Sequence, residues 1–272
     1  MANSIGIGNR IGSSSGSSWT HYWTTPYKVI YGAWMTKPSR EIAILQEAML
    51  HPIVDCGAWD ILDWFVCLAG ESEVESRLDW KTLSKSCVNV GTGNIWTSLK
   101  GIKGNGSGYL DSQFNPTTDG IHIGLNDCTY GFVSNIDSAG ADQMEMGALN
   151  NVTDVLQLYS RFTNGNAYVK AHATAYLNAP TASRDGCYIA VRNALNAQKY
   201  YKDNFKIIDG AMNALAIPDK TIKLLASGSG TSKSQNELSF AFAGKGLSVI
   251  QVSVITSALQ LYNDSVSYFF DA

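Results

Sequence analysis

The chain has 272 residues, of which 16% are charged, and its formal net charge is −3. A chain of this length can bury a full hydrophobic core. Its small negative net charge offers no basic surface for binding nucleic acid or an anionic membrane. No stretch approaches the length of a membrane span, so neither a nucleic-acid partner nor membrane insertion is predicted.

The cysteines and the N-terminus bear on the cellular setting. The five cysteines are odd in number, widely spaced and without a CxxC pair, which predicts buried free thiols rather than disulfides or a zinc site. They are Cys56, Cys67, Cys87, Cys128 and Cys187. The N-terminus has no positively charged region followed by an apolar run, so no secretory signal is expected.

The first segment of the chain has an unusual composition. Residues 1–18 are almost wholly Gly, Ser, Asn and Ile, a composition that cannot bury enough surface to offset its ordering entropy. Four aromatic residues follow closely: Trp19, Tyr22, Trp23 and Tyr27. We interpret residues 1–27 as a docking arm, because aromatic side chains concentrate buried area in few positions. The alternative, that these aromatics fold back on their own domain, stays open.

Residues 28–85 are predicted to form a small helical unit. A short strand at 29–31 comes first, and Lys37-Pro38-Ser39 marks a helix start. Apolar residues then recur at three- and four-residue spacing up to Ile53, which indicates one face of a helix. Pro52 predicts a kink or an early break in this helix. A second helix is predicted over 59–69, so that the two form a hairpin.

Beyond residue 85 the periodicity becomes alternating, and turn residues bound most of the apolar runs. This pattern predicts a two-sheet β-sandwich over 86–272. The predicted strands are 94–100, 109–114, 129–135, 143–149, 155–162, 167–171, 186–193, 198–202, 206–208, 221–226 and 237–243. Ser248 and Gln251 have the spacing of a capping box, which predicts a C-terminal helix packed on the rim of the sandwich.

Two stretches carry a family resemblance. The run G-N-G-S-G-Y-L-D-S-Q-F-N-P-T-T-D-G at 104–120, with the tetrad Leu78-Asp-Trp-Lys81, resembles a recurrent module of bacteriophage structural proteins. These proteins, commonly from phages of gut Bacteroidetes, carry a concanavalin A-like (laminin G-type) jelly-roll sandwich. The resemblance covers roughly residues 35 to 262. It implies a mainly β jelly-roll fold in a virion setting, and it brings no catalytic motif.

The resemblance also implies a role. A non-enzymatic head- or tail-attached fibre or capsid decoration subunit is expected, made in the host bacterial cytoplasm and possessing a function in host attachment. Residues 1–27 would dock it on capsid, portal or tail proteins. A dimer or trimer is expected, because symmetric attachment needs repeated subunits and the segment from Trp19 to Trp34 is rich in apolar residues.

The acidic residues of the sequence favour a non-enzymatic role. Glycosidases of sandwich shape place two or three carboxylates along one strand. Asp142 and Glu145 are three residues apart, which does not fit this arrangement. The other acidic candidates, Glu71, Glu73 and Glu75, precede the sandwich, so a degraded glycosidase is disfavoured. A nucleophile elbow, HExxH and a P-loop are absent. No cofactor and no metal are predicted, although calcium held by loop oxygens such as those of Asn126-Asp127 stays an alternative.

The alternative function is a carbohydrate-binding lectin or adhesin domain, which would act as a receptor-binding protein for a host-surface glycan. Such a site needs an exposed aromatic platform beside loop amides. Trp96 and Tyr109 are the candidate glycan-binding residues. Aromatic residues on alternating strands are also common in cores, so the sequence is compatible with Trp96 and Tyr109 as glycan-binding residues or as core residues.

Overall fold

The computed structural model describes residues 23–138 and 143–270, with side chains up to residue 267. The helices of the described residues are α1 (Thr25–Ala33), α2 (Arg40–Asp55), α3 (Ala58–Ile61), α4 (Glu73–Ser76) and α5 (Val249–Phe270). The strands are β1 (Leu62–Cys67), β2 (Val88–Val90), β3 (Ile95–Thr97), β4 (Gly101–Lys103), β5 (Tyr109–Asp111), β6 (Cys128–Ser134), β7 (Met146–Asn150), β8 (Thr153–Tyr159), β9 (Asn166–Ala171), β10 (Leu177–Pro180), β11 (Gly186–Ala194), β12 (Ala197–Lys202), β13 (Phe205–Ala211), β14 (Lys223–Leu224) and β15 (Glu237–Gly244).

The strands form two antiparallel sheets that pack as a sandwich. The eight-stranded sheet has the order β13-β12-β11-β6-β15-β4-β3, and β1 also pairs with β15. The seven-stranded sheet has the order β10-β9-β8-β7-β14-β5-β2. The predicted mainly β sandwich is therefore confirmed, and each strand predicted beyond residue 85 overlaps an observed one.

Two separate cores hold three layers together. One core lies between the sheets and includes Trp64, Phe132 and Leu156. The other lies on the outer face of the eight-stranded sheet, where Phe65 packs with Ile255 of α5 and with residues of α1 and α2. The eight-stranded sheet is thus buried on both faces, and the seven-stranded sheet is left as the outer layer.

The predicted helix over 59–69 is wrong. After the four residues of α3, the chain enters β1, which pairs antiparallel with β15. All six residues of β1 are buried, with Trp64 facing the inter-sheet core and Phe65 facing the helices. Because both faces are apolar, the alternation that marks a strand is lost from the sequence.

The predicted domain boundaries do not match the packing. β1 comes from the predicted helical unit at 28–85, yet it is a strand of the sandwich. The boundary after residue 27 falls inside α1. The C-terminal helix begins as predicted, since Gln251 N donates to Ser248 Oγ at 3.2 Å and Ser248 N donates to Gln251 Oε1 at 3.0 Å. It packs on the face of the eight-stranded sheet rather than on the rim.

Two local predictions near the N-terminal helices are also corrected. The predicted strand at 29–31 lies within α1, because the side chain of Thr24 caps the helix and Pro26 occupies its first turn. α2 begins after Ser39 as predicted, but it continues through Pro52 to Asp55 without an early break. Pro52 lies in the last turn of α2, where a lost backbone hydrogen bond disturbs little of the helix.

The remaining features concern the cysteines and the membrane. All five cysteines are free thiols, four of them buried and Cys56 half-buried. Burial raises the pKa of the Cys187 thiol to about 12, so it is neutral at physiological pH. None of the described helices is both long and apolar enough to span a membrane.

Candidate functional site

The two predicted glycan-binding residues lie on different sheets. Trp96 is in β3, where it packs against the inter-sheet core and donates its indole N–H to Ser76 Oγ at 3.1 Å. Tyr109 is in β5 of the other sheet, and Lys223 Nζ lies 5.1 Å from its ring centroid. The structure therefore does not bring Trp96 and Tyr109 together into one platform.

The predicted docking aromatics that the structure describes belong to the chain's own core. Trp23 is 7% exposed and Tyr27 is fully buried, with their ring centroids 4.8 Å apart. The hydroxyl of Tyr27 donates to Gln46 Oε1 of α2 at 2.8 Å. The assignment of these two residues to docking is corrected, because α1 packs against α2 and buries both rings. Trp19 and Tyr22 lie outside the described residues.

Replacing Tyr27 with phenylalanine is expected to lower the free energy of unfolding by about 1–2 kcal/mol, since it leaves the buried Gln46 oxygen without its donor. Urea denaturation measures this change. Val29→Ala is the matched control on the same helix, because Val29 is 55% exposed and its truncation should cost less than about 0.5 kcal/mol. Equal losses in the two variants would show that the Tyr27 hydroxyl adds nothing.

A cluster of aromatic side chains lies on the outer face of the seven-stranded sheet. Leu158 and Val169 point into the inter-sheet core, so their neighbours Tyr159 and Tyr168 point outward. We call the outward cluster the aromatic face. Its members are Tyr159, Phe162, Tyr168 and Tyr176, with Gln157 and Lys170 beside them.

The rings of the aromatic face contact one another edge to face. The centroid of Tyr168 lies 5.3 Å from that of Phe162, 5.7 Å from that of Tyr176 and 6.2 Å from that of Tyr159. Tyr176 is 38% exposed, so it presents part of its ring to solvent. Mutual packing fixes the orientation of the rings before any ligand binds, which lowers the entropic cost of binding.

Polar groups lie directly beside these rings. Lys170 pairs with Gln157 across the strands, and its Nζ lies 5.2 Å from the ring centroid of Tyr176. The hydroxyl of Tyr176 donates to Gln157 Oε1. Asn164 Nδ2 donates to the hydroxyl of Tyr168 at 2.7 Å. The site thus combines aromatic rings with an ammonium group, a side-chain amide and hydroxyl groups.

The electrostatics of the aromatic face follow from burial. Burial lowers the pKa of Lys170, and the nearby carboxylate of Asp154 partly opposes this shift. Burial likewise raises the pKa of Asp154, against the opposing charge of Lys170. One oxygen of Asp154, Oδ1, is buried without a hydrogen-bond partner among the described residues. Lys170 and Asp154 therefore lie close enough to influence each other's charge, with Lys170 buried and Asp154 half-buried.

The carboxylates near the aromatic face are not arranged for glycoside hydrolysis. Glu145 is fully buried, and it accepts hydrogen bonds from Ser160 N at 2.8 Å, from Ser234 Oγ at 3.4 Å and from Asn236 Nδ2. A ligand on the surface cannot reach it, so within the described part of the chain Glu145 cannot serve as the second carboxylate that this chemistry would need beside Asp154. Asp142 lies outside the described residues.

At the alternative calcium site, in the loop of Asn126 and Asp127, protein groups contact the carboxylate oxygens of Asp127. Asp127 Oδ1 accepts from Gly246 N at 3.0 Å, and its Oδ2 lies 3.7 Å from Lys245 Nζ. Within residues 23–138 and 143–270, no group of three or more histidine, cysteine or acidic side chains is placed to hold a metal ion.

Sequence reasoning missed the aromatic face, although the signal was present. In Leu156-Gln-Leu-Tyr159 and in Ala167-Tyr-Val-Lys170, small or branched apolar residues alternate with polar or aromatic ones. Such alternation predicts that the second set faces solvent. Tyr176 lies between strands, and only the folded chain places it beside Tyr159 at 6.1 Å.

No protein-family model matches the chain, and no curated protein is significantly similar to it. Solved structures share its fold at low identity. Domain 4 of an extracellular arabinanase from Geobacillus stearothermophilus, solved with arabinotriose, matches with a TM-score of 0.54 and 10% identity over 72% of this chain and 98% of that one. The binding domain of botulinum neurotoxin DC, solved with rat synaptotagmin II, matches with a TM-score of 0.52 and 8% identity over 74% of this chain.

A sialidase from Trypanosoma rangeli matches with a TM-score of 0.51 and 12% identity over 82% of this chain. This chain covers 40% of the sialidase and 52% of the toxin domain. At such identities the likeness concerns the sandwich fold alone, because one fold hosts many unrelated functions.

Proposed function

We propose that this protein is a non-enzymatic carbohydrate-binding protein that holds a glycan on the aromatic face. The observation that carries the proposal is the packed cluster of Tyr159, Phe162, Tyr168 and Tyr176 beside Gln157 and Lys170, on a sheet face that the long helices leave uncovered. Aromatic rings stack on the apolar faces of sugars, while amide and ammonium groups bond their hydroxyls. The arabinanase domain solved with arabinotriose supports sugar binding by a sandwich of this shape.

A glycan array followed by calorimetry with the best-bound glycan tests this proposal. Tyr176→Ala is expected to weaken binding about tenfold, because it removes the exposed ring of the face. The matched control is Phe205→Ala, which removes a ring that is 75% exposed on β13 of the other sheet and should leave the affinity unchanged. An array without any bound glycan, or equal affinity in the Tyr176→Ala variant, would contradict the proposal.

The setting of this activity is the second part of the proposal. On the resemblance of residues 78–81 and 104–120, we place the protein on a phage particle, as a head- or tail-attached fibre or decoration subunit that binds host-surface glycans. Gradient-purified particles should then contain the protein in the same fractions as the major capsid protein. Particles that lack it would contradict the virion setting and leave the glycan-binding proposal standing.

The oligomeric state stays a prediction. The apolar segment that motivated a dimer or trimer includes Trp23, Tyr27 and Trp34, and all three side chains are buried within the chain. A homo-oligomer therefore has to use other surfaces, and docking through Trp19 and Tyr22 concerns residues outside the described part of the chain.

A further inference from the structure

One row of side chains crosses the outer face of the seven-stranded sheet at the aromatic face. In β8 and β9 this row consists of Gln157 and Lys170, which pair across the two strands. Their neighbours Leu158 and Val169 point into the inter-sheet core, so Gln157 and Lys170 point outward. The row ends at Tyr176, which is 38% exposed and whose ring centroid lies 5.2 Å from Lys170 Nζ. An amide, an ammonium group and an exposed ring therefore lie next to one another.

Lys170 is buried along its length, yet its ammonium group has no hydrogen-bond acceptor. The residue is 6% exposed, and in residues 23–138 and 143–270 no oxygen accepts a hydrogen bond from its Nζ. The Nζ atom itself is not fully covered, so a ligand can contact it. Buried polar groups of native proteins nearly always have a partner, and here only solvent can provide one. Because burial has already removed much of the hydration of this ammonium group, a negatively charged acceptor gains more energy here than at an exposed lysine.

Gln157 brings a second donor to the same place. Its Oε1 accepts from the hydroxyl of Tyr176, which leaves Nε2 as the group of the amide that can donate. Among the described residues Nε2 has no acceptor, and it is not fully covered, although Gln157 is 5% exposed. The Cβ atoms of cross-strand partners are about 5 Å apart, so one acidic group can contact both Gln157 and Lys170. Two donors side by side match the paired oxygens of a carboxylate or a sulfate group.

Asp154 does not neutralise Lys170 by direct contact. Its charge favours the charged form of Lys170, but no hydrogen bond or ion pair joins these two side chains, which both lie in the described part of the chain. Asp154 Oδ1 is fully covered and has no hydrogen-bond partner there. The same carboxylate is also influenced by Lys223, so it is shared between two ammonium groups. Lys170 therefore lacks a contacting counter-ion, which an acidic group of a ligand would supply.

We propose that the aromatic face binds an acidic glycan, in which a carboxylate or sulfate group on the sugar at Tyr176 contacts Lys170 Nζ and Gln157 Nε2. This inference rests on the proposed glycan-binding function and names the class of its ligand. The aromatic rings hold the apolar face of the sugar, as they would for any glycan. Lys170 determines the specificity, because a neutral sugar at the same place offers its ammonium group only hydroxyls.

Pairs of ligands that differ only in charge test this specificity on the folded, full-length protein. The pairs are trigalacturonate and its methyl ester, sialyllactose and its methyl ester, and N-acetylglucosamine 6-sulfate and N-acetylglucosamine. Calorimetry measures the affinity of both members of each pair. At least one acidic member is expected to bind about tenfold more tightly than its neutral counterpart, because a charge-assisted hydrogen bond replaces a neutral one. The pair that shows this difference identifies the acidic group as a carboxylate or a sulfate.

Two variants assign the preference to Lys170. Lys170→Met removes the ammonium group but keeps an apolar side chain in the packed stem, and it should lower the preference for the acidic member about tenfold. Lys220→Met is the matched control, because it removes the same charge from an exposed side chain near Asp219 and should leave the preference unchanged. Should Lys170→Met fail to fold, sodium chloride provides a second measurement on the unmodified protein. Raising it from about 0.05 M to about 0.5 M should weaken binding of the acidic member more than that of the neutral one.

The outcomes separate this inference from the proposed function. Binding of glycans with equal affinity within every pair would overturn the acidic specificity and leave the proposed function standing. An array and calorimetry without any bound glycan would overturn both. A preference that persists in Lys170→Met, or that Lys220→Met reduces equally, would assign it to general surface charge and overturn the role of Lys170. Equal salt dependence of the acidic and neutral members would likewise contradict the charged contact.

Discussion

Replacing Arg192 with methionine is expected to lower the free energy of unfolding by about 3–5 kcal/mol, one of the largest effects of any single substitution in this chain. Arg192 lies in β11 and is fully buried. Its guanidinium group donates to the carbonyl oxygens of Ala171 at 3.0 and 3.1 Å, of Leu195 at 3.0 Å and of Met212 at 2.6 Å. It also donates to Gln198 Oε1 at 3.2 Å.

The size of the effect follows from the number of acceptors that one side chain serves. Methionine fills a similar volume but donates nothing, so four oxygens lose a donor. Those of Ala171 and Gln198 are in a buried environment, and the carbonyls of Leu195 and Met212 are in a partly buried one. Each unsatisfied buried group costs about 1–3 kcal/mol, and the removal of a buried charge offsets part of the sum. The end of β9 and the turn between β11 and β12 should loosen together.

Guanidinium denaturation monitored by circular dichroism measures this loss. Arg161→Met is the matched control, because Arg161 is partly exposed and lies 3.8 Å from Asp137 in a surface ion pair worth less than about 1 kcal/mol. Arg192→Lys keeps the charge but cannot span the same carbonyls, so it should fall between the two. A loss below about 1 kcal/mol in Arg192→Met would show that the carbonyls find other donors.

The success of the sequence-based strand prediction has a physical basis. Runs such as Cys128–Ser134 and Glu237–Gly244 combine β-branched, aromatic and small residues and end at turn residues, so their type was clear even where both faces are buried. The prediction failed for strand β1 because Leu62–Cys67 directly follows a helical turn. The contact that makes this segment a strand is its pairing with β15, about 180 residues away. Long-range pairing of this kind leaves no local signal.

The candidate sites were less predictable than the fold. The alternation in β8 and β9 placed Tyr159 and Tyr168 on one side, but nothing local indicated that Phe162 and Tyr176 would join them.

The stability of the protein should become dependent on pH between 4.5 and 6.5 when Glu145 is replaced by glutamine. Burial raises the pKa of Glu145 from 4.5 to about 7, and the hydrogen bonds from Ser160 and Asn236 only partly oppose this shift. Below pH 4.5 the carboxyl group is protonated in both the folded and the unfolded chain. As the pH rises from 4.5 to about 7, the unfolded chain releases this proton first, so the free energy of unfolding falls.

A second buried group opposes this trend. Burial lowers the pKa of His172 from 6.5 to about 4, and the ring bonds to the hydroxyl of Tyr130 at 2.7 Å and to Leu125 O at 3.0 Å. When the pH falls below 6.5, His172 is protonated in the unfolded chain but stays neutral in the folded chain. The free energy of unfolding therefore falls toward pH 4. Between pH 4.5 and 6.5 the contributions of Glu145 and His172 therefore compensate each other in the unmodified protein.

Urea denaturation of the unmodified protein and of Glu145→Gln, from pH 4.5 to 7.5, separates the two groups. The difference in unfolding free energy between them should shift by about 3 kcal/mol over this range in favour of the variant as the pH rises. The Glu145→Gln variant, unlike the unmodified protein, should then lose stability toward pH 4, because the contribution of Glu145 no longer opposes that of His172. Glu237→Gln, a partly exposed carboxyl on β15, is the control and should leave the pH profile unchanged. A constant difference at all pH values would mean that Glu145 stays ionised in the folded protein and that its three donors outweigh the cost of burying its charge.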